Sequence, residues 1–102
     1  MSTDGYQTQD MFFAATLLYL YGHEAIDKIY LDDKSRATFL LKVPSLDVAE
    51  YLTEYEAGQL AVSDLKSLRT SWEFLGGTIR FMKRQDMAMW QNDPQLPRRL
   101  PN

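Results

Sequence analysis

Few residues in this sequence could carry acid–base or metal chemistry. The single histidine, His23, is followed by Glu24 and has Asp27 close by, and an imidazole with two carboxylates could hold a cation or move a proton. Residues between a helix and a strand more often form a polar turn. The pair Asp32-Asp33 is explained in the same way, because aspartate accepts backbone hydrogen bonds in turns. We therefore expect no catalytic residue, no metal site, no cofactor and no small-molecule substrate.

The composition narrows the function further. The 102 residues have room for one small domain and contain no cysteine, which excludes disulfides, thiolate-bound zinc and a thiol nucleophile. Glycine-rich phosphate loops and the HExxH and GxSxG motifs are absent from the sequence. These features predict a protein that is not an enzyme, and the lack of cysteine favours a cytoplasmic location.

Charge is distributed unevenly along the chain. Residues 1–64 contain 4 basic and 11 acidic residues, a net charge of -7, whereas residues 65–102 contain 7 basic and 3 acidic residues, a net charge of +4. The formal net charge of -3 hides this division. The two parts could attract each other within the fold or across a homodimer, or the basic part could bind a polar partner.

The first predicted element is a helix over residues 9–21, capped by Thr8 and ended by Gly22. Its apolar run is too short to cross a membrane, which takes about 20 residues, so we expect no membrane association. The helix has almost no polar face and must be buried on more than one side. In so short a chain, a partner could supply part of that burial.

Alternating apolar residues predict a β-hairpin over residues 24–43, with a polar turn at 32–35 and Pro44 ending its second strand. A second helix is predicted over residues 46–56, capped by Ser45. The last and most regular helix is predicted over residues 64–84, capped by Ser63. Gly76-Gly77 lies within it and predicts either a break or the close approach of another backbone.

Apolar residues of the last helix fall at alternating spacings of three and four, which is a heptad seam. Its members are Leu65, Leu68, Trp72, Leu75, Ile79 and Met82. The seam could pack on the first helix and the sheet, or it could pair two helices across a homodimer. The residues that we predict at a protein interface are Phe12, Phe13, Leu68, Trp72, Leu75, Ile79 and Trp90.

Basic residues lie near one side of the same helix, interrupted by Glu73 and Gly76. They are Lys66, Arg69, Arg80, Lys83 and Arg84. Such a row could follow a phosphate backbone, which makes these residues candidates for nucleic-acid binding. It could equally be a solvated helix face whose last cations complement the helix dipole. No aromatic residue lies between the cations, so base stacking with single strands is not favoured.

These elements predict an α+β fold, a small single domain over residues 8–84 in the order α-β-β-α-α. A two-stranded hairpin is covered by helices, and the last helix is long. Residues 1–7 are predicted to be an N-terminal flank and residues 85–102 an extended or mobile C-terminal tail. Within the tail, Trp90 is expected to fold back on the domain, and residues 94–99 contain a PxxP segment typical of polyproline II ligands.

Three stretches carry a family resemblance: Thr8 to His23, Ala37 to Tyr55, and Tyr55 to Ser63, which leads into the long helix. On these stretches the sequence resembles a family of small bacterial and phage-associated proteins catalogued only as a domain of unknown function. The resemblance covers about residues 8–84 and supplies no catalytic residue. It implies a small accessory or adaptor role, of phage or mobile-element origin.

The sequence therefore predicts a non-enzymatic accessory or adaptor protein that acts through protein–protein contacts. Surplus apolar surface predicts that it self-associates as a homo-oligomer or docks on a larger protein. The alternative is a nucleic-acid-binding accessory protein that uses the basic face of the last helix.

Overall fold

A computed structural model describes residues 4–92, apart from the side chains of Asp4 and Ser45. In chain order its elements are β1 (Asp4–Thr8), α1 (Met11–Tyr21), a short 3-10 helix (His23–Ala25), β2 (Ile26–Leu31), β3 (Ala37–Val43), α2 (Ser45–Glu56), α3 (Leu65–Arg84) and β4 (Met89–Gln91). The α+β class is confirmed. The sheet, however, has four strands where the sequence predicts two, so the predicted order α-β-β-α-α is incomplete.

The sheet is antiparallel, and its strands lie in the order β1-β3-β2-β4. The predicted hairpin forms the two central strands. In β3, Phe39 and Leu41 alternate with more exposed residues and are buried in the core. Asp32 orders the turn, because its carboxylate accepts the backbone N–H groups of Lys34 at 2.9 Å and Arg36 at 2.8 Å. This confirms the role in the turn that the sequence predicts.

The two edge strands do not follow from the sequence pattern. β1 lies in the predicted flank and β4 in the predicted tail, so the domain extends beyond residues 8–84 at both ends. In β1 only Tyr6 packs on the core as a partly buried apolar residue, and β4 is three residues long. Both strands form because the outer backbone groups of β3 and β2 need hydrogen-bond partners. The predicted PxxP segment lies outside the described residues.

Aspartates cap the N-termini of α1 and α3. The Asp10 carboxylate accepts the N–H of Phe13 at 3.1 Å, so Asp10 caps α1, and the predicted cap Thr8 instead ends β1. Asp64 caps α3 in place of the predicted Ser63. A carboxylate suits this position because its negative charge complements the positive end of the helix dipole.

Helix α1 lies at the centre of the domain. Residues 13–18 are all buried, and the helix contacts β3, α2 and α3. The chain itself therefore supplies the burial of α1 to which a partner could have contributed, and Phe12 is the exposed exception. Helix α3 continues through Gly76-Gly77 without a break, and a Cβ built on Gly76 would lie 3.5 Å from the Met11 side chain of α1. Within residues 4–92, no helix has the length and apolarity that a membrane crossing requires.

Candidate protein-binding surface

The heptad seam of α3 divides into two rows. Leu68, Leu75 and Met82 are buried in the core. In the other row, Leu65 is 72% exposed and Trp72 is 40% exposed, while Ile79 is half-buried. The seam therefore packs on the domain along one whole row and through Ile79 of the other, while Leu65 and Trp72 at the beginning of that second row face solvent.

Small polar residues explain why α3 is rotated so that part of its seam faces solvent. Ser71 and Thr78 are buried although the seam contains only apolar residues. The Thr78 hydroxyl donates to the Phe74 carbonyl at 2.8 Å, and Ser71 Oγ lies 3.1 Å from His23 Nε2. Because both hydroxyls have partners, their burial leaves no unsatisfied polar group. The helix can then turn these residues inward and leave larger apolar side chains outside.

The exposed row borders a groove formed with the start of α1. The Phe12 side chain is 46% exposed, and its ring centroid lies 5.5 Å from that of Trp72 and 6.3 Å from that of Tyr55. The groove has a volume of about 250 Å³. We call it the aromatic groove; its lining residues are Phe12, Leu65, Leu68, Arg69 and Trp72.

Asp10 holds one wall of the aromatic groove in place. One carboxylate oxygen caps α1, which fixes the turn that carries Phe12, and the other accepts the Tyr55 hydroxyl at 3.0 Å. Tyr55 therefore joins the end of α2 to the start of α1 and stacks beside Phe12. Burial raises the pKa of Tyr55, and the hydrogen bond to Asp10 raises it further.

The structure corrects several predicted interface residues. Phe13, Leu68 and Leu75 belong to the core: Phe13 and Leu75 are at most 1% exposed, and Leu68, at 7%, contributes only a small area to the lining of the aromatic groove. Trp90 does fold back: it lies opposite Ile29 in β4, and its ring meets Phe74 edge-on at 6.1 Å. Of the seven predicted interface residues, Phe12 and Trp72 lie together on an exposed surface.

All five predicted nucleic-acid-binding cations are exposed. Arg69 pairs with Glu73 at 3.7 Å. Among the side chains that the structure describes, none of the other four has an acidic partner within 4.0 Å. Acidic residues nevertheless lie near this row of cations, because Lys83 lines a cavity together with Asp32, Asp33 and Asp86. Among the described side chains, the cations of this row without an ion-pair partner are Lys66, Arg80, Lys83 and Arg84.

Among the described residues, no ion pair joins the acidic part of the chain to its basic part. The ion pairs of the described residues link Asp32 to Arg36 at 3.1 Å, Asp27 to Lys42 at 3.8 Å, and Arg69 to Glu73 at 3.7 Å. Each pair lies within residues 4–64 or within residues 65–92. The charge division seen in the sequence therefore persists on the surface of the folded domain.

His23 makes structural contacts. Its ring stacks on Phe74 with centroids 4.7 Å apart, and its Nε2 meets Ser71. A serine beside a histidine is the start of a nucleophilic dyad, but Ser71 is buried within α3 and leaves no space for a substrate carbonyl. Asp27 pairs with Lys42 at 3.8 Å.

A second cavity, of about 400 Å³, lies between the β2–β3 turn and the end of α3. Leu31, Met82 and Met87 give it an apolar lining, to which Lys83 and the three aspartates named above add charge. Within the described part of the chain, no group of three or more histidine, cysteine or acidic residues could hold a metal ion.

No protein-family model matches the chain, and no curated protein or solved structure is significantly similar to it. The family resemblance drawn from the sequence therefore stays a prediction. The functional argument depends on the surface itself, and the aromatic groove is the part of that surface with the clearest chemical character.

Proposed function

We propose that this protein is a non-enzymatic accessory or adaptor protein that binds a protein segment through the aromatic groove. One observation carries the proposal: α3 buries Ser71 and Thr78 while it leaves Leu65 and Trp72 exposed. A helix that served only its own domain would gain more free energy by burying the larger apolar side chains.

The composition of the groove supports binding to protein. Tryptophan, tyrosine and arginine are enriched among the residues that contribute most to protein interfaces, and the groove combines Trp72 and Arg69 with Tyr55 behind Phe12. Its apolar floor beside α3 suits an amphipathic helix, whose anchors recur every three to four residues. The inaccessible Ser71–His23 pair supports a role without catalysis.

Site-specific photocrosslinking tests this proposal. A benzophenone amino acid replaces Leu65, which points from the groove into solvent, and in a matched variant it replaces Thr70, which is exposed elsewhere on α3. After irradiation in the cells that produce the protein, we expect covalent protein adducts from position 65 and few from position 70. Adding Trp72→Ala to the first variant should lower the yield several-fold, because it removes the largest side chain of the groove.

Two results would contradict the proposal. Equal adduct yields at positions 65 and 70 would mean that the groove has no preferred partner. An adduct yield at position 65 that is unchanged by Trp72→Ala would place the contact outside the groove. Circular dichroism of each variant shows whether the helices are retained, so that loss of binding is not confused with loss of folding.

A second candidate function is nucleic-acid binding by the basic face of α3. The observation in its favour is that Lys66, Arg80, Lys83 and Arg84 are exposed and, among the described side chains, lack acidic partners. Such cations would bind phosphates with an affinity that falls steeply as salt rises. Titration of labelled DNA and RNA at low and moderate salt tests this function. No salt-sensitive binding, or no loss on changing Arg80, Lys83 and Arg84 to glutamate, would contradict it.

A further inference from the structure

The structure also shows an exposed surface that complements the aromatic groove. Leu46 is 86% exposed, the largest exposed fraction among the large apolar residues of the described chain. It begins a row of exposed residues at the helical spacing i, i+3, i+4, i+7. We call this row the α2 face; its residues are Leu46, Ala49, Glu50 and Thr53.

The helices that carry the two surfaces have opposite charge, and the charged residue is Glu50 on the α2 face and Arg69 at the groove. Helix α2 contains four acidic residues and no basic residue, whereas α3 contains five basic residues and one acidic residue. No ion pair of the described residues connects the two helices, so neither charge is neutralised by the other within one chain. Opposite surface charges favour and orient the approach of two such surfaces.

We infer that the aromatic groove binds the α2 face of a second copy of this chain; this inference rests on the proposed function of the groove. Leu46 of one copy enters the groove of its partner between Phe12 and Trp72. Glu50 meets Arg69, whose exposed ion pair with Glu73 of its own chain, at 3.7 Å, leaves other guanidinium N–H groups to donate. The spacing fits, because Leu46 and Glu50 lie four residues apart, about 6 Å along the axis of α2, and Trp72 and Arg69 lie three residues apart, about 4.5 Å along the axis of α3. An apolar contact and an ion pair can therefore form together.

The charge distribution also disfavours the simpler arrangement of two α3 helices side by side. That symmetric pairing would bring together the five cations of each α3 with only Glu73 of each copy to offset them. The α2-to-groove contact instead joins two different surfaces. Two reciprocal contacts would close a dimer, and a single contact would let the assembly extend.

Sedimentation equilibrium of the purified full chain tests the inference. We expect the average mass to rise above the chain mass of 11.8 kDa with increasing concentration, and to fall again as salt screens the charges. Leu46→Asp should weaken association by at least about tenfold in Kd, because burying a leucine contributes more than the 1.4 kcal/mol that a factor of ten represents. Leu65→Asp should weaken it as strongly from the groove side.

Both substitutions lie in the first turn of a helix, where aspartate is compatible with the fold. Thr70→Asp is the matched control: it makes the same change of charge on exposed α3 outside the groove and should associate like the unmodified chain. An equal mixture of Leu46→Asp and Leu65→Asp should recover species near twice the chain mass. The mixture still contains an intact groove, in the Leu46→Asp variant, and an intact α2 face, in the Leu65→Asp variant.

Three outcomes would overturn the inference: a constant mass of 11.8 kDa at every concentration, association unaffected by Leu46→Asp, or no recovery in the mixture of folded variants. The photocrosslinking result separates this failure from failure of the proposed function. Groove-specific adducts with a different protein, together with a monomeric purified chain, would retain the groove as a binding site and reject the second copy as its occupant. Groove-independent adducts would reject both.

Discussion

Asp10 is the residue whose removal should test the design of the groove most sharply. Its two carboxylate oxygens serve different elements: one caps α1 through the N–H of Phe13, and the other accepts the hydroxyl of Tyr55 from α2. A double-mutant cycle with Asp10→Ala and Tyr55→Phe separates these contributions, because the second substitution removes only the hydroxyl.

The expected energies follow from the two contacts. Loss of an N-cap costs typically about 1 kcal/mol. A hydrogen bond contributes about 0.5–1.5 kcal/mol, and the lower half of that range applies here because the Asp10–Tyr55 bond is exposed to water. We therefore expect losses of about 1.5–2 kcal/mol for Asp10→Ala and about 0.5–1 kcal/mol for Tyr55→Phe. The double variant should lose about as much as Asp10→Ala alone, which gives a coupling energy of about 0.5–1 kcal/mol.

Urea denaturation followed by circular dichroism measures the four free energies of unfolding. Asp10→Asn serves as the control, because asparagine caps helices as well as aspartate and can still accept the Tyr55 hydroxyl, so it should lose clearly less than Asp10→Ala. Strict additivity of the two single substitutions would refute the reasoning. It would mean that Tyr55 is not held to Asp10 and that the wall of the groove beside Phe12 is not fixed.

Three further predictions concern the rest of the fold. Leu75→Ala should destabilise the domain by about 2–5 kcal/mol in urea denaturation, more than Trp72→Ala, because Leu75 is fully buried and Trp72 is not; equal losses would contradict the division of the seam. The pKa of Tyr21 is raised to about 12 by burial and by the nearby Asp47, so its contribution to stability is present below pH 10 and is lost as the pH rises through 12; Tyr21→Phe should flatten this alkaline loss. Gly22→Ala should lower stability by about 1 kcal/mol in the same assay, because Gly22 ends α1 at φ +94° and an alanine there is strained.

Local signals in the sequence correctly placed the central hairpin and all three helices to within two residues. Their apolar patterns are long, and Gly22, Pro44 and Gly58 mark the places where helices and strands end. The edge strands lacked such a signal because their ladder is made by backbone groups, which every residue carries. The sequence does not distinguish the caps Asp10 and Asp64 from the neighbouring hydroxyl residues Thr8 and Ser63, since residue type alone does not say which neighbour has non-helical backbone.

The candidate site was predicted only in part. The apolar character of Phe12 and Trp72 predicts their place at an interface. The sequence places Leu65 only in the seam, and Tyr55 and the α2 face give no separate signal. A heptad pattern shows which side chains share a side of a helix. It does not show the angle by which the helix is rotated about its own axis when it packs on the domain. Here buried hydroxyls with hydrogen-bond partners decided the angle.

The sequence by itself determined the α+β class, the apolar character of α1, the seam of α3 and the division of charge along the chain. These properties depend on residue type and spacing within one segment. Only the tertiary structure decided that α1 is covered by its own chain, that Leu65 and Trp72 of the seam stay exposed, and that no ion pair among the described residues joins the acidic part to the basic part. Each of these depends on how separate segments are rotated against each other, and that rotation is set by packing and hydrogen bonding between residues far apart in sequence.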